Sequence, residues 1–163
     1  MKKINDRFLL GIVAGIGGNQ VKSAIGAVSK RAKWAEISGK ERAAGMLVPS
    51  HTISTPEGKF VGRVADNIIG GLLGVVTVYA LGITGNNNAV LKGALTGQAS
   101  WTILYGVFGT LGATKVSPVS PSTVIAELVG HTVYGATAAF MAVRLGNPGL
   151  FDGTIPFKPG KSS

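Results

Sequence analysis

Uncharged stretches separated by short polar breaks set the plan of this chain. Residues 67–91 hold no charged side chain, and neither do residues 93–114. An α-helix needs about 20 apolar residues to cross the hydrocarbon layer of a bilayer, so each window predicts a span. The polar run Gly85, Asn86, Asn87, Asn88 between them predicts a tight turn and a helical hairpin. A first apolar stretch starts at Phe8, and a last one follows Ser120–Pro121 and stops at Gly146, Asn147, Pro148, Gly149. The predicted spans are 8–29, 56–84, 88–113 and 120–145. Thr55 before Pro56, and Ser120 before Pro121, read as helix caps.

The one sizeable loop lies between the first two spans. Ser38 followed three residues later by Glu41 matches a capping box, which predicts a short interfacial helix over about 39–48, ended by Pro49. Residues 147–163 carry three prolines and three glycines and are expected to form an extended tail. The expected fold is all-α: an antiparallel four-helix transmembrane bundle with that interfacial helix between spans one and two.

Composition agrees with a membrane protein. Charged residues make up 14%, glycine occurs 25 times, and mean hydropathy is +0.35; a soluble domain carries roughly a quarter charged residues. The chain has no cysteine, which excludes disulfides, thiolate metal sites and thiol nucleophiles. The net charge of +9 does not argue for nucleic acid, because the basic residues flank apolar stretches, where lipid headgroups take them. Lys30, Arg31, Lys33 and Trp34 are the expected headgroup contacts.

The first span must contain Asn19, Gln20 and Lys22. With antiparallel spans, Lys22, Arg63, Asp66, Glu127 and His131 all fall roughly 9–15 Å from the helix ends that face the long loop. Isolated charges at that depth are costly, and opposite charges at one level can pair. Lys22 is therefore expected inside the span, neutralised by Asp66 or Glu127. Asn19, and Gln98 from the third span, complete the predicted polar cluster. Helical spacing places Gly11, Gly15 and Gly18 on one face with Lys22. It does the same for Gly70 and Gly74 with Asp66, for Gly93 and Gly97, and for Gly130 with Glu127 and His131. Small residues allow close helix approach.

Glu127 and His131 are one helical turn apart, but two ligands are too few for a metal. A Glu–His hydrogen bond is the plainer reading. No phosphate-binding loop, dinucleotide fingerprint or nucleophile motif occurs, so neither an enzyme nor a cofactor is expected. Two roles remain open. One is a structural or anchoring subunit that packs through glycine faces in a homo-oligomer or larger membrane complex. The other is an oligomeric proton, ion or small-solute conduit using the Lys/Asp/Glu/His cluster.

The stretches FLLGIVAGIGGNQVK (8–22), ERAAGMLVP (41–49), GRVADNIIGGLLG (62–74), LYG (104–106) and HTVYG (131–135) resemble a family of small uncharacterised four-span membrane proteins of Gram-positive bacteria. The resemblance covers about residues 8–146. It implies a multi-pass protein of the bacterial cell membrane and implies no activity. Antiparallel counting puts both termini on one side, and the Lys30–Lys33 cluster favours a cytoplasmic long loop.

Overall fold

The computed structural model describes residues 3–116 and 119–153. Among the described residues the chain is helical, with no strand. The helices are α1 (Arg7–Arg31), α2 (Gly39–Leu47), α3 (Pro56–Thr84), α4 (Ala89–Trp101), the single turn α5 (Phe108–Thr110) and α6 (Pro121–Leu145). Three of them, α1, α3 and α6, are long and apolar enough to cross a membrane.

Local chemistry accounts for most helix ends. The Asp6 carboxylate accepts the Leu9 amide at 2.6 Å and starts α1. Thr55 Oγ1 accepts the Gly58 amide at 3.2 Å, with Pro56 in the first turn of α3. Ser120 precedes Pro121 as expected, but its side chain caps no amide; its hydroxyl lies 2.9 Å from Thr123 Oγ1 instead. Thr123 Oγ1 accepts the Glu36 amide at 2.9 Å and so ties the long loop to the start of α6.

The turn after α3 uses left-handed backbone at Gly85 (φ 78°) and Asn88 (φ 54°). Only glycine adopts such angles freely, and asparagine tolerates them. Lys92 then closes the turn. Its ammonium donates to Thr84 O at 2.7 Å, Gly85 O at 3.0 Å and Asn87 Oδ1 at 2.8 Å, satisfying carbonyls at the end of α3.

The expected span 88–113 is not one regular α-helix. Helix α4 ends at Trp101, a π-helical stretch covers Thr102–Val107, and α5 adds one turn. Thr96, Ser100 and Thr102 donate their hydroxyls to the carbonyls of Lys92, Thr96 and Gln98 at 2.8–3.0 Å. Thr77, Thr84 and Thr132 make the same bonds within the regular helices α3 and α6, so back-bonding alone does not account for the π stretch. Gly112, at φ 70°, follows the last turn.

Helix α1 packs between α3 and α6, α4 packs on α6, and α2 lies against α3. Small residues face inward: Gly15 meets Gly70 and Gly74, and Gly93 meets Gly135 and Ala139. Large apolar side chains face outward, among them Ile68, Leu72, Val76, Leu91, Leu95, Ile125 and Phe140. A water-soluble helical protein distributes its residues the other way round.

The buried apolar cluster of Leu10, Ala14, Val78, Leu81, Ala139, Ala142 and Phe151 lies towards the chain ends. There Ile4 N donates to Leu145 O at 2.9 Å, and Asn147 N to Ile4 O at 3.0 Å. The start of the expected extended tail is folded. Pro148–Phe151 forms a 3₁₀ turn, Phe151 is buried, and Arg7 Nη2 donates to Leu150 O at 2.9 Å. An aromatic ring that fills the gap beside Leu10 outweighs the local preference of proline and glycine for open chain. Residues 154–163 of that tail lie outside the described residues.

Candidate functional site

The other end of the bundle, beneath the long loop, is polar. Lys22 lies within α1, nine residues before its last residue, so roughly 13 Å from that helix end. Its Nζ donates to Asp66 Oδ1 on α3 at 2.8 Å, with 12% of the lysine side chain and 5% of the aspartate side chain exposed. Asn19, one turn earlier, is fully buried. Its Nδ2 lies within bonding range of Asp66 Oδ2 (3.0 Å), Asp66 O (3.1 Å) and Asn67 Oδ1 (3.2 Å). Ser23 Oγ approaches Asp66 Oδ2 at 3.5 Å. The carboxylate is thus shared among an ammonium, an amide and a hydroxyl, which is how a buried charge is made tolerable.

Glu127 has a different partner from the one the spans suggest. Arg42 of α2 points into the bundle, with Nη2 3.0 Å from Glu127 Oε2 and Nε 3.3 Å from Oε1. Both side chains are 8% exposed. The guanidinium carbon also lies 4.3 Å from the centre of the Tyr105 ring, a cation–π contact. Thr114 Oγ1 donates to Arg42 O at 3.1 Å, and Lys115 N to Gly45 O at 3.1 Å, which fastens α2 from its other side. The short helix is therefore docked onto the long helices through Arg42 and held on its other side by Thr114 and Lys115.

His131 is buried on α6 beside these pairs. It makes no hydrogen bond to Glu127 among the described residues. Its ring stands edge-on to Tyr105 at 5.6 Å, and its Nδ1 is buried without a partner. Tyr134, one turn from Gly130, donates its hydroxyl to Gly70 O at 2.6 Å and links α6 to α3.

Two small cavities flank the pairs. One, of about 40 Å³, is lined by Lys22, Ser38, Lys40, Asp66, Glu127 and His131 among others. The second, of about 30 Å³, touches Lys22, Arg42, Asp66, Tyr105 and His131. Each has room for one or a few water molecules.

Of the predicted cluster, the structure brings together Lys22, Asp66, Asn19, Glu127 and His131. Arg63 is not among them. It is exposed on α3, turned away from Asp66 onto an outer groove. Gln98 is exposed too, and only approaches Thr132 Oγ1, at 3.4 Å. Both sit at the expected depth, but on another face of their helices.

Arg42 is the group that depth counting missed, because it comes from the loop and not from a span. A local signal existed. Once a helix starts at Ser38, Arg42, Gly45 and Met46 fall on one stripe, and Arg42 is the charged residue on it.

The predicted packing glycines are used inside the chain. A methyl group at Gly11 would overlap Val75, at Gly15 the Gly70 carbonyl, at Gly74 the Gly11 carbonyl, at Gly93 the Gly135 carbonyl and at Gly97 the His131 carbonyl. Gly18 abuts Tyr134, Gly70 abuts Asn19, and Gly130 meets the Lys22 stem. These faces are filled and offer nothing to a second copy. Among the expected headgroup residues, Lys30, Arg31, Lys33 and Trp34 are all exposed, and Lys30 forms an ion pair with Glu41.

The chain matches no family model, no curated protein and no solved structure. Among the described residues no group of three or more His, Asp or Glu side chains is placed to hold a metal.

Proposed function

We propose that this is a small multi-pass membrane protein that serves as a structural or anchoring subunit of a membrane assembly. In this reading the helices form an antiparallel bundle of four spans. The fourth is the continuous helical run of α4, the π stretch and α5, whose 22 residues extend about 33 Å. The contact of Ile4 with Leu145 and Asn147 supports a reading in which residues 4 and 147 share one side and the long loop lies on the other. A bacterial cell membrane is the setting implied by the sequence resemblance.

The observation that carries the reading is the closure of the polar interior. Lys22 with Asp66, and Arg42 with Glu127, are two pairs of opposite charge. They hold α1 to α3 and α2 to α6, and the space left beside them is water-sized. Such an interior fixes helix register and does not expose a binding surface. Because the glycine faces are filled within the chain, contacts to other subunits would use the outward apolar side chains. Those of the π stretch, α5 and the residue that follows it, Ile103, Val107, Phe108 and Leu111, are available.

The test is extraction of the full chain in mild detergent, with native mass measurement of what accompanies it. A defined homo-oligomer or a stoichiometric partner is expected. A lone monomer under every mild condition overturns the reading. His131, with its unpartnered Nδ1 between two cavities, favours a second reading, an oligomeric conduit for protons or small ions. Proton flux in liposomes that is lost in Lys22→Met while the fold is retained would select that one.

A further inference from the structure

Outside the closed cluster, a groove of about 510 Å³ opens between the end of α1, the outer side of α2 and the first turns of α3. Lys30 and Arg31 reach it from α1, Lys40 from α2, and Lys59 and Arg63 from α3. Glu41 is the acid that lines it, and Glu41 is already paired with Lys30. Arg31, Lys40, Lys59 and Arg63 have no ion-pair partner among the described residues. Between the cations the lining is apolar or small, with Ala27, Ala44, Ile53 and Gly58.

Like charges drawn from three separate elements onto one concave surface repel each other unless an anion sits among them. Arg31 is the last residue of α1, and Lys59 and Arg63 lie in the first and second turns of α3. On the membrane reading these positions are at the level of lipid headgroups, and an apolar lining beside them suits the first carbons of acyl chains. Arginine forks match phosphate oxygens in pairs, and lysines add point charge.

We propose that this groove binds the phosphodiester headgroup of an anionic phospholipid, held by Arg31, Lys40, Lys59 and Arg63. The site rests on the membrane reading and adds to it a specific lipid ligand. Arg63, displaced from the interior cluster, thereby acquires a role on the outside.

The test reconstitutes the full chain in phosphatidylcholine nanodiscs doped with phosphatidylglycerol or cardiolipin. Lipid retained per chain is then counted by native mass spectrometry after transfer to detergent. Selective retention of the anionic lipid is expected. The double variant Lys59→Gln/Arg63→Gln should lower it by about tenfold or more, since each headgroup-level cation removed weakens the attraction. Its fold should be unchanged, because both side chains are exposed and unpaired. Lys115→Gln, an exposed cation outside the groove, should retain lipid like the parent.

Equal retention of phosphatidylcholine, or an unaffected double variant, overturns the proposal. A separate arm titrates inorganic phosphate into the lipid-free protein. Saturable binding there without lipid retention assigns the groove to free phosphate and overturns the lipid. Failure of the chain to enter any nanodisc removes the membrane reading itself, and the lipid site with it.

Discussion

Arg42 of the nine-residue helix α2 holds Glu127 of α6 through two nitrogens, Nη2 at 3.0 Å and Nε at 3.3 Å, while Tyr105 covers its guanidinium at 4.3 Å. The loop between two long helices is in this way anchored inside the bundle by one side chain. What the rest of α2 does depends on that anchor, and the first prediction concerns it.

Arg42→Met leaves the Glu127 carboxylate buried with its cation gone. Breaking one side of a buried pair costs about 3–5 kcal/mol, whereas removing both sides costs far less. The single variant should lower the denaturation midpoint in detergent and open residues 39–47 to hydrogen exchange. The double variant Arg42→Met/Glu127→Leu should recover most of both. A single variant as stable as the parent would show that the pair does not hold α2.

The same logic applies to Lys22 and Asp66, with a different expected pattern. Asp66 keeps Asn19 Nδ2 at 3.0 Å when Lys22 is lost, but when Asp66 is lost the acid left on the Lys22 cavity is Glu127, already held by Arg42. Lys22→Met should leave a carboxylate that stays bonded to Asn19, with the Ser23 hydroxyl beside it. Asp66→Leu should strand the ammonium, while the Asn19 amide keeps the Asp66 carbonyl and Asn67 Oδ1 as acceptors. The second variant is expected to lose more stability, by about 1–3 kcal/mol, the cost of an unsatisfied buried donor. Chemical denaturation of both variants in one detergent decides it.

Glu41 makes the docking of α2 sensitive to pH. Burial alone would raise its pKa, but the bond from Lys30, together with the Ser38 amide at 2.8 Å and the Ser38 hydroxyl at 2.9 Å, brings it below the ordinary carboxylate value. A carboxylate with a lowered folded pKa contributes stability that is fully present above its unfolded pKa and is lost as pH falls through the folded value. Protease cleavage within residues 33–55 should therefore rise as pH drops below the ordinary glutamate range. Glu41→Gln should already be more cleavable at neutral pH, and its acid-dependent increment should be smaller.

How much of this was visible in the residues differs from one element to the next. The start of α3 was legible because Thr55, Pro56 and Glu57 act locally, and so was its end at Gly85. The depth of Lys22, Asp66 and Glu127 could be counted because helical rise is constant. Which way each side chain turns around its axis could not, and Arg63 and Gln98 were misplaced for that reason.

Arg42 and Phe151 were missed because their partners, Glu127 and Leu10, lie 85 and 141 positions away; only the folded chain brings them together. The π stretch over Thr102–Val107 is a departure from the regular helix that apolar patterning does not record.

The tight glycine contacts give the last prediction, because the structure separates filled positions from open ones on the same chain. A methyl at Gly74 would run into the Gly11 carbonyl and the Gly15 backbone. Backbone cannot rotate aside as a side chain does, so α1 and α3 would have to separate. That separation would also stretch the Lys22–Asp66 contact two turns further on. Gly109, in α5, has nothing within 4 Å of the same position. Overpacking costs about 1–3 kcal/mol or more, whereas glycine to alanine in an unobstructed helix gains up to about 1 kcal/mol. Gly74→Ala should lower the thermal midpoint in detergent, and Gly109→Ala should leave it level or raise it. If both variants shift alike, helix propensity alone accounts for them, and the close approach of α1 to α3 is not what holds this bundle.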